Sequence, residues 1–341
     1  MKALFKLAVA AASILPFAAY AGENGDKSFS LIPQVHGVIR ASYETLTDDP
    51  EGRFQVKNAR LNVSGKVAPI ISYYIQFDCS AKGKMKFLDA YGLLNLSNQV
   101  GLKAGQFREP FGVDNFLGPG SYYFTNVSFI GDYICNYRGV GGQLSYAPQS
   151  VPFKAEAGVF NAAGIEDHEV WEKSPAFASK VSYRLGNVSL YSGFQSVKPG
   201  FVRMNLIDGT VSWTAGEWKA EGEYMLIHYT NDSAPACHSY NFYVNRGFDV
   251  EAGVFNRASL QARLDGHSNY YNGKMADADT GAPAVTKCKR HRVTVGGTLT
   301  YTYKKVSADV RLNYEKYLYG STADYKKADG DKICAELVIK F

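Results

Sequence analysis

The sequence predicts an all-β chain, a transmembrane antiparallel β-barrel of about 16 strands with short periplasmic turns and long external loops. Three features predict it: an N-terminal stretch of the export type, an apolar/polar alternation that runs to a terminal Phe341, and the recurrence of that alternation between connections that are by turns short and long.

Lys2 and Lys6 precede the apolar run 7–17, and Ala19-Tyr20-Ala21 then supplies a small-x-small cleavage pattern. This is the layout of a secretory signal peptide. Residues 1–21 are expected to be removed, leaving 22–341 as one barrel domain. The run is too short to cross ~30 Å of hydrocarbon as a helix, which takes about 20 residues. Its loss takes away two lysines and no acid, so the formal charge falls from +5 to +3. No other stretch approaches the length of a spanning helix. A place in a membrane therefore requires a closed barrel, because backbone polar groups in lipid need internal partners.

At the other end, Ile333, Ala335, Leu337, Ile339 and Phe341 fall on one face of a strand, and Cys334, Glu336, Val338 and Lys340 on the other. An alternation that ends on Phe is similar to the terminal strand of outer-membrane barrels. Composition agrees with a barrel: 24 Tyr, 20 Phe and 33 Gly against 3 Trp, with a mean hydropathy of −0.21. A barrel reads as hydrophilic because half of each strand faces the lumen, and its aromatics furnish the interfacial girdles.

The alternation recurs along the chain. Ala59, Leu61, Val63, Gly65 and Val67 alternate with Asn58, Arg60, Asn62, Ser64 and Lys66. Ile71, Tyr73, Ile75 and Phe77 alternate with polar neighbours, as do the apolar residues of 292–304 and 306–315. Such runs exceed the usual strand of a soluble sandwich, about 5–6 residues. Short turns are expected near Ala68-Pro69, Asn98, Ala147-Pro148, Gly186, Ala215-Gly216, Gly247 and Lys304-Lys305. Longer polar segments lie at about 45–52, 79–86, 108–137, 160–176, 196–204, 230–240, 265–290 and 320–330. Eight long loops and seven turns join about 16 strands, enough to leave an aqueous channel.

Gly105-Gln106-Phe107-Arg108-Glu109-Pro110-Phe111-Gly112 resembles the GQF(K/R)xPFG segment of the phosphate-selective porin O and P family. Phe54-Gln55-Val56-Lys57-Asn58-Ala59-Arg60-Leu61 resembles that family's early strand, and Leu88-Asp89-Ala90-Tyr91 the strand before the GQF segment. Arg138-Gly139-Val140-Gly141-Gly142-Gln143-Leu144 and Gly158-Val159-Phe160-Asn161-Ala162 follow in the same order. The resemblance covers about 36–162 well and 291–341 loosely. It implies a trimeric porin of the bacterial outer membrane that passes small anions, phosphate among them. Loops folded into the lumen narrow such channels. The candidate here is the longest, 108–137, whose Phe111, Phe116, Tyr122, Tyr123 and Phe124 would pack it against the inner wall or, alternatively, form an external loop core or a subunit contact.

Anion selection needs lumen cations where water is scarce, and a guanidinium fork matches phosphate oxygens better than an ammonium. The pore residues expected from this reading are Arg40, Arg60, Lys66, Lys103, Arg108 and Arg138, with Arg184, Lys219, Arg263, Arg292 and Arg311 as further lumen-facing cations. Asp78, Asp89, Asp208, Glu221, Glu223, Asp309, Glu315 and Glu336 share the polar faces, so the lumen charge is mixed. That mixture fits a channel for anions in general better than one restricted to phosphate.

Five cysteines (Cys79, Cys135, Cys237, Cys288 and Cys334) fall at external strand ends in this layout. Export permits disulfides, and Cys79–Cys135 and Cys237–Cys288 are the expected pairs, with Cys334 left over. A zinc site from Cys237, His238, Cys288 and His291 is the weaker alternative. No catalytic, metal or nucleotide motif stands out. Gly139-Val140-Gly141-Gly142 departs from the dinucleotide pattern, whose third glycine would fall at Leu144. His228 is the single position that invites thought of an outer-wall enzyme. The reading is thus a passive porin favouring small anions, with outer-membrane lipid around it and no cofactor, metal or nucleic acid. Two other readings stand beside it: an adhesion or structural barrel with a plugged lumen and partner-binding loops, and a soluble secreted sandwich that binds glycans.

Overall fold

Each long alternating segment of the sequence is a strand, and the strands close on themselves. The computed structural model describes residues 31–341 except 82–83, 132–137, 163–170, 172, 274–282, 322 and 324–326. Its strands are β1 (Gln34–Leu46), β2 (Gly52–Ala68), β3 (Ile71–Ala81), β4 (Lys84–Asn95), β5 (Val100–Arg108), β6 (Arg138–Tyr146), β7 (Phe153–Phe160) and β8 (Ala176–Leu185) in the first half. The second half supplies β9 (Val188–Val197), β10 (Met204–Ala215), β11 (Trp218–Tyr229), β12 (Cys237–Ala252), β13 (Phe255–His267), β14 (Arg290–Tyr303), β15 (Val306–Tyr319) and β16 (Lys332–Lys340). Each pairs antiparallel with its neighbours in sequence, and β1 pairs with β16, from Val38 opposite Lys340 to Leu46 opposite Lys332. A closed sheet has no edge to leave unpaired in lipid. Among the described residues no helix is long and apolar enough to cross a membrane.

The period of two sorts the side chains. Along β14, Val293, Val295, Leu299 and Tyr301 are exposed on the outer face, whereas Arg292, Thr294 and Thr298 are buried inside. Along β16, Ile333 and Leu337 point out, and Cys334 and Glu336 point in. The short turns need left-handed backbone, and they take it at Gly186, Gly216, Gly253 and Lys304. One expected turn is misplaced. Gly247 lies inside β12, paired with Ser259, and the chain reverses six residues later at Gly253, where φ is +61°. A strand tolerates glycine when neighbouring side chains close over it. A Cβ at Gly247 would meet the Arg257 guanidinium and the Glu217 carboxylate.

The inner face is not polar throughout. Phe160, Ala176, Ala178, Val197, Met204, Leu206, Met225, Ile227 and Tyr229 occupy inward positions of β7 to β11, and all are buried. They are covered from within by Phe111 and Ile130 and by Tyr270, Tyr271 and Cys288. An apolar lumen residue is stable where the chain itself, rather than water, lies against it.

The seam between the chain ends is tight. Gly37 and Phe341 exchange backbone hydrogen bonds of 2.8 and 3.1 Å, and a Cβ on Gly37 would lie 2.3 Å from the Phe341 ring. Gly37→Val is therefore expected to strain the closure by about 1–3 kcal/mol, the scale of overpacking. The expected readout is a lower temperature for loss of the compact band in heat-modifiability gels of the refolded protein, recovered by adding Phe341→Ala. A Gly37→Val barrel as heat-resistant as the parent would show that the seam has room.

Candidate pore constriction

Between β5 and β6 the described residues 109–131 form a strap whose peptide groups bond to inward side chains of the wall. The Val113 and Asp114 N–H groups donate to the two oxygens of Glu223 at 2.7 and 2.9 Å. The Thr125 N–H donates to Asn313 at 2.7 Å, and the Phe129 N–H to Asp265 at 3.0 Å. In the other direction, Lys180 donates to the Gly112 carbonyl, Gln261 to Tyr123, Arg40 to Thr125, Arg263 to Asn126 and Arg292 to Val127, all within 2.7–2.9 Å. A segment with no strand beside it still has to satisfy its buried backbone groups, and here β1, β8, β11, β13, β14 and β15 do so with side chains.

That service uses up many of the cations expected to line the pore. Arg40 is 1 % exposed and pairs with Glu336 at 2.6 Å while its ring-facing side covers Tyr122. Arg311 pairs with Glu336 and Asp309, and Arg263 and Arg292 with Asp265 and Glu315. These guanidiniums are neutralised where they stand. Arg184 is exposed at the rim against the Gly186 carbonyl. Lys219 lies 3.6 Å from Glu221, and Lys66 lies opposite Ser72, six residues from Arg60 along β2.

On the stretch from β2 to β6 three cations gather. The Arg60 Nε donates to Asp78 at 2.9 Å, and the Arg138 Nε to Asp89 at 3.1 Å. Arg108 lies within the fields of both and of Tyr122. Among the described residues its guanidinium has no hydrogen bond or ion pair, and its Nε is buried without a partner. Lys103 is buried beneath this group, with Nζ 4.1 Å from the Phe107 ring centre and 5.2 Å from that of Tyr91. Arg60, Arg108 and Arg138 are thus brought together, Lys103 lies near them, and Arg40 and Lys66 stand apart.

Two strap anchors escaped the sequence reading. Lys57 bonds to Glu44 at 2.8 Å and to the Thr125 carbonyl at 3.3 Å. It is the extra residue of a β-bulge, since Arg40 pairs with Asn58 and Ala41 with Val56. A bulge shifts the alternation by one, and nothing in the residue types announces it. Glu223 was noted as a lumen acid, but its role as acceptor for two strap amides has no local signal.

The cysteine expectation is corrected. Cys79, Cys237, Cys288 and Cys334 are all in the thiol form, so the expected Cys237–Cys288 bridge is not formed, and Cys135 lies outside the described residues. Cys288 Sγ instead lies 3.6 Å from His267 Nδ1 and Cys237 Sγ 3.9 Å from the His238 carbonyl. The zinc alternative fails on strand geometry. Cys237 and Cys288 are buried in the inner core, whereas His238 and His291 are bonded to Tyr224 and Tyr240 on the outer side.

With this geometry in hand, likeness to known proteins can be placed. Residues 35–178 match the family phosphate-selective porin O and P, which is the resemblance carried by the GQF segment. No curated protein matches the chain. Among solved structures, the anion-selective porin from Comamonas acidovorans is similar at 14 % identity and a TM-score of 0.61, covering 91 % of this chain and 98 % of its own. OmpF of Salmonella typhi in complex with daunomycin is similar at 12 % and 0.62, with 91 % and 97 % covered. In-vitro folded OmpT of Vibrio cholerae, in its trimer form, gives 14 % and 0.57, with 91 % and 98 % covered. At these identities the structures speak for the fold. Together with the family match, the closed 16-strand barrel places this chain in the fold of the outer-membrane porins.

Two outcomes follow for the strap. Glu223→Ala would orphan two buried amides, at about 1–3 kcal/mol each, so limited proteolysis of the folded barrel should cut within 109–131 where the parent resists. An uncut strap would mean that the remaining anchors suffice. Glu109, at the foot of the strap, is governed by burial, which pushes its carboxyl up to about 7 against the Gln195 amide that donates to it. With the folded value above the ordinary one, its contribution to stability is full below about pH 4.5 and is lost as pH rises through 7. Glu109→Gln should match the parent in heat-modifiability near pH 4.5 and exceed it above pH 7; parallel profiles would refute the assignment.

Proposed function

We propose that this porin passes small hydrophilic solutes by passive diffusion and favours anions, phosphate among them, at Arg60, Arg108 and Arg138, and that it works as a homotrimer. The observation that carries the reading is the Arg108 guanidinium, partly buried beside two other arginines and without a hydrogen bond or ion pair among the described residues. A buried, unpaired cation is costly, and a passing anion relieves that cost while a cation adds to it. Asp78 and Asp89 temper Arg60 and Arg138, which suits transit rather than capture, since conduction requires that a bound ion also leave. Lys103 continues the cationic wall from β5. Arg40 serves this site by holding the strap, and Lys66 extends the basic lining along β2. The strap is the constriction that brings solutes against this wall. The trimer is supported by the trimeric form of OmpT among the similar structures.

The test is a planar-bilayer recording of the refolded protein in a salt gradient. Discrete steps with an anion-selective reversal potential, and a loss of most of that potential in Arg108→Ala, are the expected result. Added phosphate should reduce the chloride current. Steps without selectivity would leave a general porin. Absence of steps from a folded barrel would favour the plugged structural barrel, for which the apolar packing inside β7 to β11 is the relevant feature.

A further inference from the structure

We infer that the preferred solutes of this channel are organic anions with a flat apolar face, aromatic carboxylates above all, held with the carboxylate at Arg60, Arg108 and Arg138 and the ring against Tyr74 and Tyr91. This deepens the anion reading and rests on it.

The arginine cluster does not stand on a polar wall. Directly beside it, one aromatic row crosses the inner faces of β3 to β7. Tyr74 stacks on Tyr91 with ring centres 5.3 Å apart and planes 23° apart. Tyr91 meets Phe107 edge-on at 5.6 Å, and Phe107 meets Phe160 at 5.4 Å. Arg60 pairs with Asp78, four residues from Tyr74 on the same face of β3, and Arg138 pairs with Asp89, two residues from Tyr91 on the same face of β4, so rings and guanidiniums share one stretch of lumen.

The wall is shaped to let these rings lie flat. Gly105 adopts φ +132°, and a Cβ there would come 2.3 Å from the Ala90 carbonyl and 3.0 Å from the Tyr91 Cβ. A Cβ on Gly141 would lie 2.6 Å from the Phe160 ring, and one on Gly158 2.8 Å from it. Glycine appears where another group must approach the backbone closely: at Gly141 and Gly158 the Phe160 ring and a neighbouring carbonyl do so, and at Gly105 the β4 backbone that carries Tyr91.

Packing under the strap accounts for half of the row. Phe107 and Phe160 are each 2 % exposed and belong to the covered core. It reaches Tyr91 in part, since that ring packs against the edge of the same core, and it does not account for Tyr74. Tyr74 and Tyr91 are half-buried on the inner face, away from lipid. Tyr74 is held in place by Gln76, whose amide donates to its hydroxyl at 2.9 Å. Two half-buried rings beside a guanidinium that has no hydrogen bond or ion pair among the described residues match a ligand with both a carboxylate and a flat face: the guanidinium fork takes the carboxylate in two parallel hydrogen bonds, and an offset-stacked ring adds to it. Lys103, over the Tyr91 ring, places a further positive charge along the same strip. Inorganic phosphate can use the guanidiniums but gains nothing from the rings.

The experiment is block of chloride current through the full mature protein in a planar bilayer by benzoate, acetate and inorganic phosphate, at neutral pH. Benzoate is expected to half-block at about one tenth of the acetate concentration, the scale of one stacking contact. Tyr74→Phe should keep that ratio, and Tyr74→Leu should bring benzoate down to acetate. Arg108→Ala should weaken block by all three. A parent channel that is anion-selective but blocked no better by benzoate than by acetate overturns the inference and leaves the anion reading in place. An advantage for benzoate that survives both Tyr74→Leu and Tyr91→Leu also overturns it. A parent channel without anion selectivity overturns the anion reading itself.

Discussion

The strap at 109–131 crosses the barrel interior where no strand can pair with it, and its peptide groups are met instead by side chains of the wall. Most other features of the interior follow from that arrangement. Carbonyls call for cationic donors, so Arg40, Arg263 and Arg292 reach the strap. Those cations are buried, so they need acids beside them, which Glu336, Asp265 and Glu315 provide. Charge that reads from the sequence as a mixed lumen is, on this side, scaffolding. The wall from β2 to β6 keeps Arg60, Arg108 and Arg138, which make no hydrogen bond to the strap among the described residues.

The strap also explains the apolar inner positions. Its Phe111 and Ile130 need a dry surface to rest on, and β7 to β11 offer Phe160, Ala178, Met204, Leu206, Met225 and Ile227. The second cover comes from the segment between β13 and β14, where the Tyr271 N–H donates to the Tyr229 hydroxyl and that hydroxyl donates back to the Tyr271 carbonyl. Hydrophobic contact fixes where the strap lies, and hydrogen bonds fix its register. Neither would suffice alone, since apolar contact has no direction and isolated hydrogen bonds contribute about 1 kcal/mol each.

The outer half of this structure was legible because lipid imposes one rule on every strand. Val293, Val295 and Leu299 had to face out, and their alternation with Arg292, Thr294 and Thr298 carries both strand and face. The inner half follows no such single rule. Met204, Leu206, Met225 and Ile227 break the expected polarity because what they face is a loop distant in sequence. Lys57 turns inward through a bulge, and Gly247 looks like a turn although the reversal falls at Gly253. Arg60, Arg108 and Arg138 were legible as residues, through the family segments that contain them. Their convergence, and the pairing that leaves Arg108 without a carboxylate partner among the described residues, needed coordinates.

The division between the two walls also bears on why the family match stops where it does. Residues 35–178 contain Arg60, Arg108, Arg138, Tyr74, Tyr91, the glycines under the rings and the strap itself. They also contain two of the strap's anchors, Arg40 and Lys57, whereas those at Glu223, Gln261, Arg263, Asp265, Arg292 and Asn313 lie beyond the match. The two groups face different demands. The arginine cluster sets guanidinium forks beside stacked rings and beside glycines at which a Cβ would collide with the wall. A wall that anchors a backbone needs only some donor near each carbonyl and some acceptor near each amide, and Lys, Arg, Gln and Asn serve alike, as Lys180, Arg263, Gln261 and Asn313 do here. The matched stretch therefore holds the arginine cluster together with the strap and two of its anchors, while later strands supply most of the remaining anchors.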